Sequence, residues 1–255
     1  MIVSANGLSH RCERSGRKSS PAVLFIHGLA ASLDVWRSQA SLLGEGFDVV
    51  RYDLRSHGGS EPVRRRCTRS ELAADAIGVL DALGIESAFF VGHSAGGVIA
   101  MHAALEHPKR VRGVVLVGTA SECNDKTAAW YRRTAEKARN EGGEVALEAM
   151  GMRREGAPVP DGGGLAELAL AMSTLNSEPL TERLQGLRTP TLIIVGDKDF
   201  LGVGGSVILS RAIVASELEI VAGRGHGIYL EDPEWFAARL ARFFERVDGE
   251  PERRE

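Results

Sequence analysis

Three side chains far apart in the chain have the types that nucleophilic acyl chemistry requires: Ser94, an aspartate at 197 or 199, and His226. A serine hydroxyl is a weak nucleophile until a base takes its proton, and histidine suits that task because its unperturbed pKa lies near neutrality. A buried carboxylate then fixes the imidazole tautomer and stabilises the imidazolium. Ser94 stands at the centre of Gly92-His93-Ser94-Ala95-Gly96, a G-x-S-x-G pattern. The bare pattern is weak, because so short a motif arises often by chance. Context strengthens it: the apolar run Ala88–Val91 precedes it and a helix-like stretch, Gly97 to Leu105, follows. A strand, a tight turn with serine at its apex and a helix expose the hydroxyl. Glycines two residues either side let strand and helix approach without a Cβ clash.

The elements that must position these groups follow a repeating pattern. Ala22–Ile26, Phe47–Tyr52, Ser87–Val91, Gly113–Val117, Pro190–Val195 and Glu217–Val221 read as strands, with a weaker first strand at Leu8–Glu13. Continuous apolar runs of this kind suit strands buried on both faces of a parallel sheet. Helical periodicity follows Val35 to Leu43, Ser70 to Leu83, the stretch from Ser94 to about His107, Ser206 to Val214, and Pro233 to Val247. Thr68 and Glu71 have capping-box spacing for the second of these. Strand–helix alternation predicts an α/β fold with a mostly parallel, doubly wound sheet. Residues just past the carboxyl ends of such strands gather along one edge, where ligands bind. Four groups take that position: His27-Gly28-Leu29, Ser94, Asp197 with Asp199, and His226. The alternation breaks at Ala120. Up to Leu187 only helices and loops are expected: Thr127–Met150, interrupted near Gly142-Gly143, a connector from Glu155 to Gly164, Leu165–Leu175, and Thr181–Leu187. Gly202 to Gly205 reads as a loop.

At 255 residues the chain suits one large α/β domain, and 44% hydrophobic with 25% charged residues is ordinary for a globular protein. A net charge of -3 argues against nucleic acid or an acidic membrane surface as an obligatory partner. Cys12, Cys67 and Cys123 are scattered, with no disulfide framework and no metal-ligand spacing. The N-terminal residues predict no signal peptide and no apolar run reaches membrane-spanning length, so a cytoplasmic protein is expected. No histidine spacing resembles a metal motif, and neither metal nor cofactor is expected. Among the other histidines, His27 is expected to brace its turn and His57 to shape a loop. His102 and His107 read as structural or solvent-facing, and His10 has no visible partner.

The chain resembles the α/β-hydrolase superfamily along nearly its whole length. The look is that of small bacterial hydrolases of the esterase, enol-lactone hydrolase and cofactor-free perhydrolase type. Five motifs carry the resemblance: His27-Gly28-Leu29, D-L-R-S-H-G-G-S at Asp53 to Ser60, the nucleophile elbow Gly92-His93-Ser94-Ala95-Gly96, G-D-K-D at Gly196 to Asp199, and G-H-G-I-Y-L-E-D-P around His226. The resemblance implies a core from residues 1–119 and 188–255, with residues 120–187 inserted as a helical cap. It implies Ser94 as nucleophile, His226 as general base and Asp199 as acid, with Asp197 the alternative. Backbone N–H groups of Leu29 and Ala95 would form the oxyanion hole. His93, Trp130, Tyr131, Met150 and Met172 are candidate substrate contacts, although at helical spacing the cap residues also read as cap core. Arg132, Arg133, Arg153 and Arg154 could meet a substrate carboxylate or form a solvated face. The implied activity is cleavage of a small carboxylic ester, lactone or thioester through an acyl-enzyme. Alternatives are 3-oxoadipate enol-lactone hydrolysis, perhydrolase or haloperoxidase activity, or a ligand-binding receptor with little turnover. The chain departs from the family in carrying Ser56 where glycine is usual, and Phe200-Leu201-Gly202-Val203 where many relatives have proline. Substrate and oligomeric state stay open at this level.

Overall fold

The computed structural model describes residues 1–63, 65–153 and 155–249. Its apolar runs form β1 (Ile2–Ala5), β2 (Leu8–Gly16), β3 (Ala22–Ile26), β4 (Asp48–Tyr52), β5 (Ala88–His93), β6 (Val111–Val117), β7 (Thr191–Gly196) and β8 (Ser216–Val221). They make one sheet in the order β1-β2-β4-β3-β5-β6-β7-β8. Strands β3 to β8 pair in parallel, and the β1–β2 hairpin joins β4 antiparallel.

Alternate residues of the central strands enter two different cores, as the two-residue period of a strand requires. Leu24, Ile26, Val50, Tyr52, Phe90, Leu116 and Ile193 face one side. There they meet α2 (Arg69–Ala82), α3 (Ala95–Glu106) and α8 (Gly204–Ala212). Val23, Phe25, Val49, Phe89, Val91, Val115, Val117, Leu192 and Ile194 face the other, against α1 (Arg37–Leu43) and α10 (Pro233–Gly249). Because every residue of β3, β4 and β5 is buried, the sequence shows runs rather than alternation.

The capping box forms as the spacing predicts. Thr68 Oγ1 accepts from Glu71 N at 3.1 Å, and Glu71 Oε2 accepts from Thr68 N at 2.8 Å. Between β6 and β7 the described residues hold α4 (Asp125–Glu141), α5 (Gly143–Ala149), α6 (Gly162–Ser173) and α7 (Thr181–Leu184), and no strand. Gly142, at φ 96°, makes the expected interruption between α4 and α5. No helix among the described residues is long and apolar enough to cross a membrane.

Three local expectations need correcting, the first being that α6 begins at Gly162, inside the connector expected to reach Gly164. The strand beginning at Leu8 is the second, not the first; β1 precedes it, turned back by Asn6-Gly7 with φ 51° and 75°. Asn-Gly is the signature of that two-residue turn. Helix α8 starts at Gly204, two residues ahead of the expected Ser206, so part of the presumed loop is helix. Gly205 lies so close to Ala120 that a Cβ there would come within 2.6 Å of the alanine's own.

Candidate active site

Ser94 takes φ 54° and ψ -117° between β5 and α3. Such a conformation costs of order 1–3 kcal/mol for a residue other than glycine. Its surroundings impose it: Ser94 N donates to Val117 O at 2.9 Å, and Thr119 Oγ1 donates to Ser94 O at 2.8 Å. The flanking glycines are required by close approach. A Cβ on Gly92 would come 2.3 Å from Gly96 O, and one on Gly96 would come 2.2 Å from Ile26 O. Ala95 opens α3, where helix amides lack partners inside the helix.

The turn after β3 lies against the elbow. A Cβ on Gly28 would stand 3.2 Å from Ser94 Cβ and 3.1 Å from His93 Nδ1. Two buried histidines tie this turn to the loop after β4. His27 Nδ1 donates to Gly28 O at 2.8 Å, while its Nε2 accepts from Leu54 N at 3.0 Å. His57 Nε2 accepts from Ala30 N at 3.2 Å, and its Nδ1 donates to Arg55 O at 3.0 Å. Both rings are therefore neutral with the proton on Nδ1. Burial pushes both down to about 4, helped at His57 by the neighbouring His27. Asp53 completes the brace, accepting from Leu33 N at 2.6 Å and Gly59 N at 2.8 Å; burial pushes its carboxyl up. Arg55 holds the loop to α2 through two 2.7 Å bonds to Asp75.

Ser56 shows how the chain accommodates its departure from glycine. It keeps a positive φ of 63°. Its Oγ accepts from Val63 N at 2.7 Å and donates to Val63 O at 3.1 Å. A Cβ on Gly164 of α6 would fall 1.9 Å from Ser56 Cβ, so that glycine makes the room Ser56 needs.

On the far side of the elbow, His226 Nδ1 lies 2.8 Å from Asp199 Oδ2. Asp199 is buried, and its Oδ1 accepts from Leu201 N at 2.8 Å. Asp197 turns elsewhere, accepting from Gly223 N at 2.7 Å. His93 Nε2 donates to His226 O at 3.0 Å, leaving Nδ1 to accept from Tyr229 Oη at 3.4 Å. The His93 and His226 rings are 4.5 Å apart. Tyr229, on the short helix α9 (Ile228–Glu231), packs 4.2 Å from Trp36, and its carbonyl accepts from Gln39 Nε2 at 2.7 Å.

The remaining candidates are distributed through the helices between β6 and β7. Trp130 and Tyr131 meet edge to face at 5.1 Å on α4 and pack against the larger core. Met150 packs against the same core from the end of α5, and Met172 is fully buried within it. Arg132 and Arg133 are exposed, Arg153 bonds Glu144 at 3.0 Å, and Arg154 lies outside the described residues. His102 bonds Glu106 at 2.8 Å, the structural role expected of it. His10, expected to lack a partner, is buried with Nδ1 3.3 Å from Asp53 O and Nε2 4.0 Å from Asp75. Among the described residues no group of three or more His, Cys, Asp or Glu converges as metal ligands.

Sequence reasoning missed Gly118. It follows β6 at φ 52°, and a Cβ there would lie 2.9 Å from Asp199 Oδ2 and 3.0 Å from His226 Nδ1. A glycine just past a buried strand was the available signal. Tyr229 was missed too, since nothing in its spacing points at His93.

Comparison with known proteins agrees with this architecture. A dihydrolipoyllysine-residue acetyltransferase component of the acetoin cleaving system from Cupriavidus necator is 38% identical over 116 residues, 46% of this chain and 31% of that protein. 3-Oxoadipate enol-lactonase 1 of Acinetobacter baylyi is 25% identical across 97% of both chains. The crystal structure of the enol-lactonase from Burkholderia xenovorans LB400 superposes with a TM-score of 0.86 at 25% identity, covering 96% of this chain and 99% of that one. The sequence model for the alpha/beta hydrolase fold matches residues 21–150, from the edge of β3 through the elbow and into the helices beyond β6. A match over half the chain, on a sheet of this order, makes the protein a member of the alpha/beta hydrolase fold family.

Proposed function

We propose that the protein is a serine hydrolase that cleaves a carboxylic ester, lactone or thioester at Ser94. The observation that carries this reading is the 2.8 Å contact between buried Asp199 and His226 Nδ1, on the strand edge that also bears the elbow. With Nδ1–H donated to the carboxylate, Nε2 keeps the lone pair and serves as the base. His226 takes the Ser94 proton as Oγ attacks the carbonyl carbon. The Leu29 and Ala95 amides receive the negative oxygen, each donor of this kind being worth about 10²–10³ in rate. His226 then protonates the departing group, and afterwards activates water to release the acid. Full-length similarity to enol-lactonases supports ester and lactone carbonyls as the substrate class. Residues 120–187 act as a cap over Ser94, with Trp130, Tyr131 and Met150 half-buried against the larger core.

The test is Ser94→Ala. The variant is expected to lose turnover of p-nitrophenyl esters and of a lactone panel, and to lose covalent labelling by a fluorophosphonate. Labelling that persists in the variant rules Ser94 out as the nucleophile.

A further inference from the structure

The segment after Asp199 holds an aromatic ring that the fold does not bury. Of the eight phenylalanines, seven are buried in the cores, whereas Phe200 is 69% exposed. A single exposed apolar side chain is ordinary. The position of this one is not: its ring centroid lies 4.6 Å from that of His226, with the planes inclined at 59°. The backbone holds it there. Asp199 accepts from Leu201 N through its side chain at 2.8 Å and from Gly202 N through its carbonyl at 2.8 Å, closing a turn with Phe200 inside it. Leu201 is exposed beside the ring, and Leu230, four residues past His226, is exposed as well. The turn after Asp199 thus sets an apolar lip against the His226 ring.

Chemistry assigns that lip to one half of the substrate. In acyl transfer the acyl carbon is fixed on the serine, while the imidazole delivers its proton to the leaving oxygen. The leaving group must therefore come within hydrogen-bond reach of the imidazole. A side chain packed on that ring meets the alcohol portion rather than the acyl portion. We infer that Phe200 determines leaving-group specificity and selects esters of apolar, ring-bearing alcohols. An aromatic ring receives another ring well in offset or edge contact, which suits an aryl or benzyl group. The inference rests on the reading of Ser94 and His226 as nucleophile and base.

Two esters with the same acyl group, methyl acetate and benzyl acetate, separate the effects by pH-stat on the full chain. The wild type is expected to favour the benzyl ester. In Phe200→Ala the benzyl-to-methyl ratio of kcat/KM falls about tenfold, through KM for the benzyl ester, as loss of one aromatic contact implies. Phe200→Trp restores the ratio. An unchanged ratio in Phe200→Ala, or a wild type without preference, overturns the inference. A wild type that hydrolyses neither ester but is labelled by a fluorophosphonate at Ser94 overturns the leaving-group assignment alone. Absence of labelling overturns the Ser94 reading beneath it.

Discussion

Asp197 and Asp199 stand two positions apart on one segment, and their surroundings separate them completely. Asp199 is buried against His226, whereas Asp197 ties down the backbone at Gly223. Changing Asp199 to Asn removes the acceptor that fixes the His226 tautomer, and kcat is expected to fall about 10⁴-fold. Asp197→Asn should leave kcat within about threefold, since it touches only a surface turn. Equal losses in both would reject Asp199 as the acid. Residue types alone left these two aspartates open, because the direction of a side chain past a strand end depends on the turn that follows. The resemblance implies Asp199, and the hydrogen bond donated by Leu201 N to Asp199 orients that side chain: one carboxylate oxygen is held in the turn and the other lies at the imidazole.

At the scale of elements, strands β3 to β7 were legible because both of their faces are buried, which leaves continuous apolar runs. Strand β1 was not, because its exposed residues alternate with buried ones over only four positions. Gly118 belongs to this scale as well: it ends β6, and its importance lies wholly in what faces it. Ala at 118 would need φ 52° and would press its Cβ onto both Asp199 and His226. A displacement of that pair by about 1 Å is enough to cost roughly 10²-fold in kcat. Gly118→Ala is expected to show such a loss with an unchanged far-ultraviolet circular dichroism spectrum. Full activity in a folded variant would show that activity does not depend on the exact placing of Asp199 and His226. The exchange of space between Ser56 and Gly164 was equally invisible in sequence, since its partners are 108 residues apart only along the chain and adjacent only in the fold.

For the whole molecule, the buried pair His27 and His57 links stability to pH. Each folded-state value lies near 4, against about 6.5 in an unfolded chain. Between those values the unfolded chain binds protons that the native state refuses, so stability falls as pH drops from 6.5 towards 4. Each ring accounts for roughly 3 kcal/mol across that window. Asp53, pushed up by burial, works in the opposite direction at the acid end, gaining protons in the native state first. Unfolding midpoints measured from pH 7 to 4 are expected to fall steeply in the wild type. In His57→Asn the midpoint starts lower at pH 7 and falls less steeply. Parallel curves would show that His57 does not set the acid sensitivity.

The hydrogen bond from Gln39 to the Tyr229 carbonyl joins residues 190 positions apart and fastens the segment after the Leu29 turn to the one carrying His226. Contacts of such separation form late, because a long loop must close first. With Ser94 proposed as nucleophile and His226 as its base, a chain growing from its N-terminus makes the serine elbow long before it makes His226. On that proposal the nascent serine is inert, and hydrolytic competence waits for the segment that carries His226.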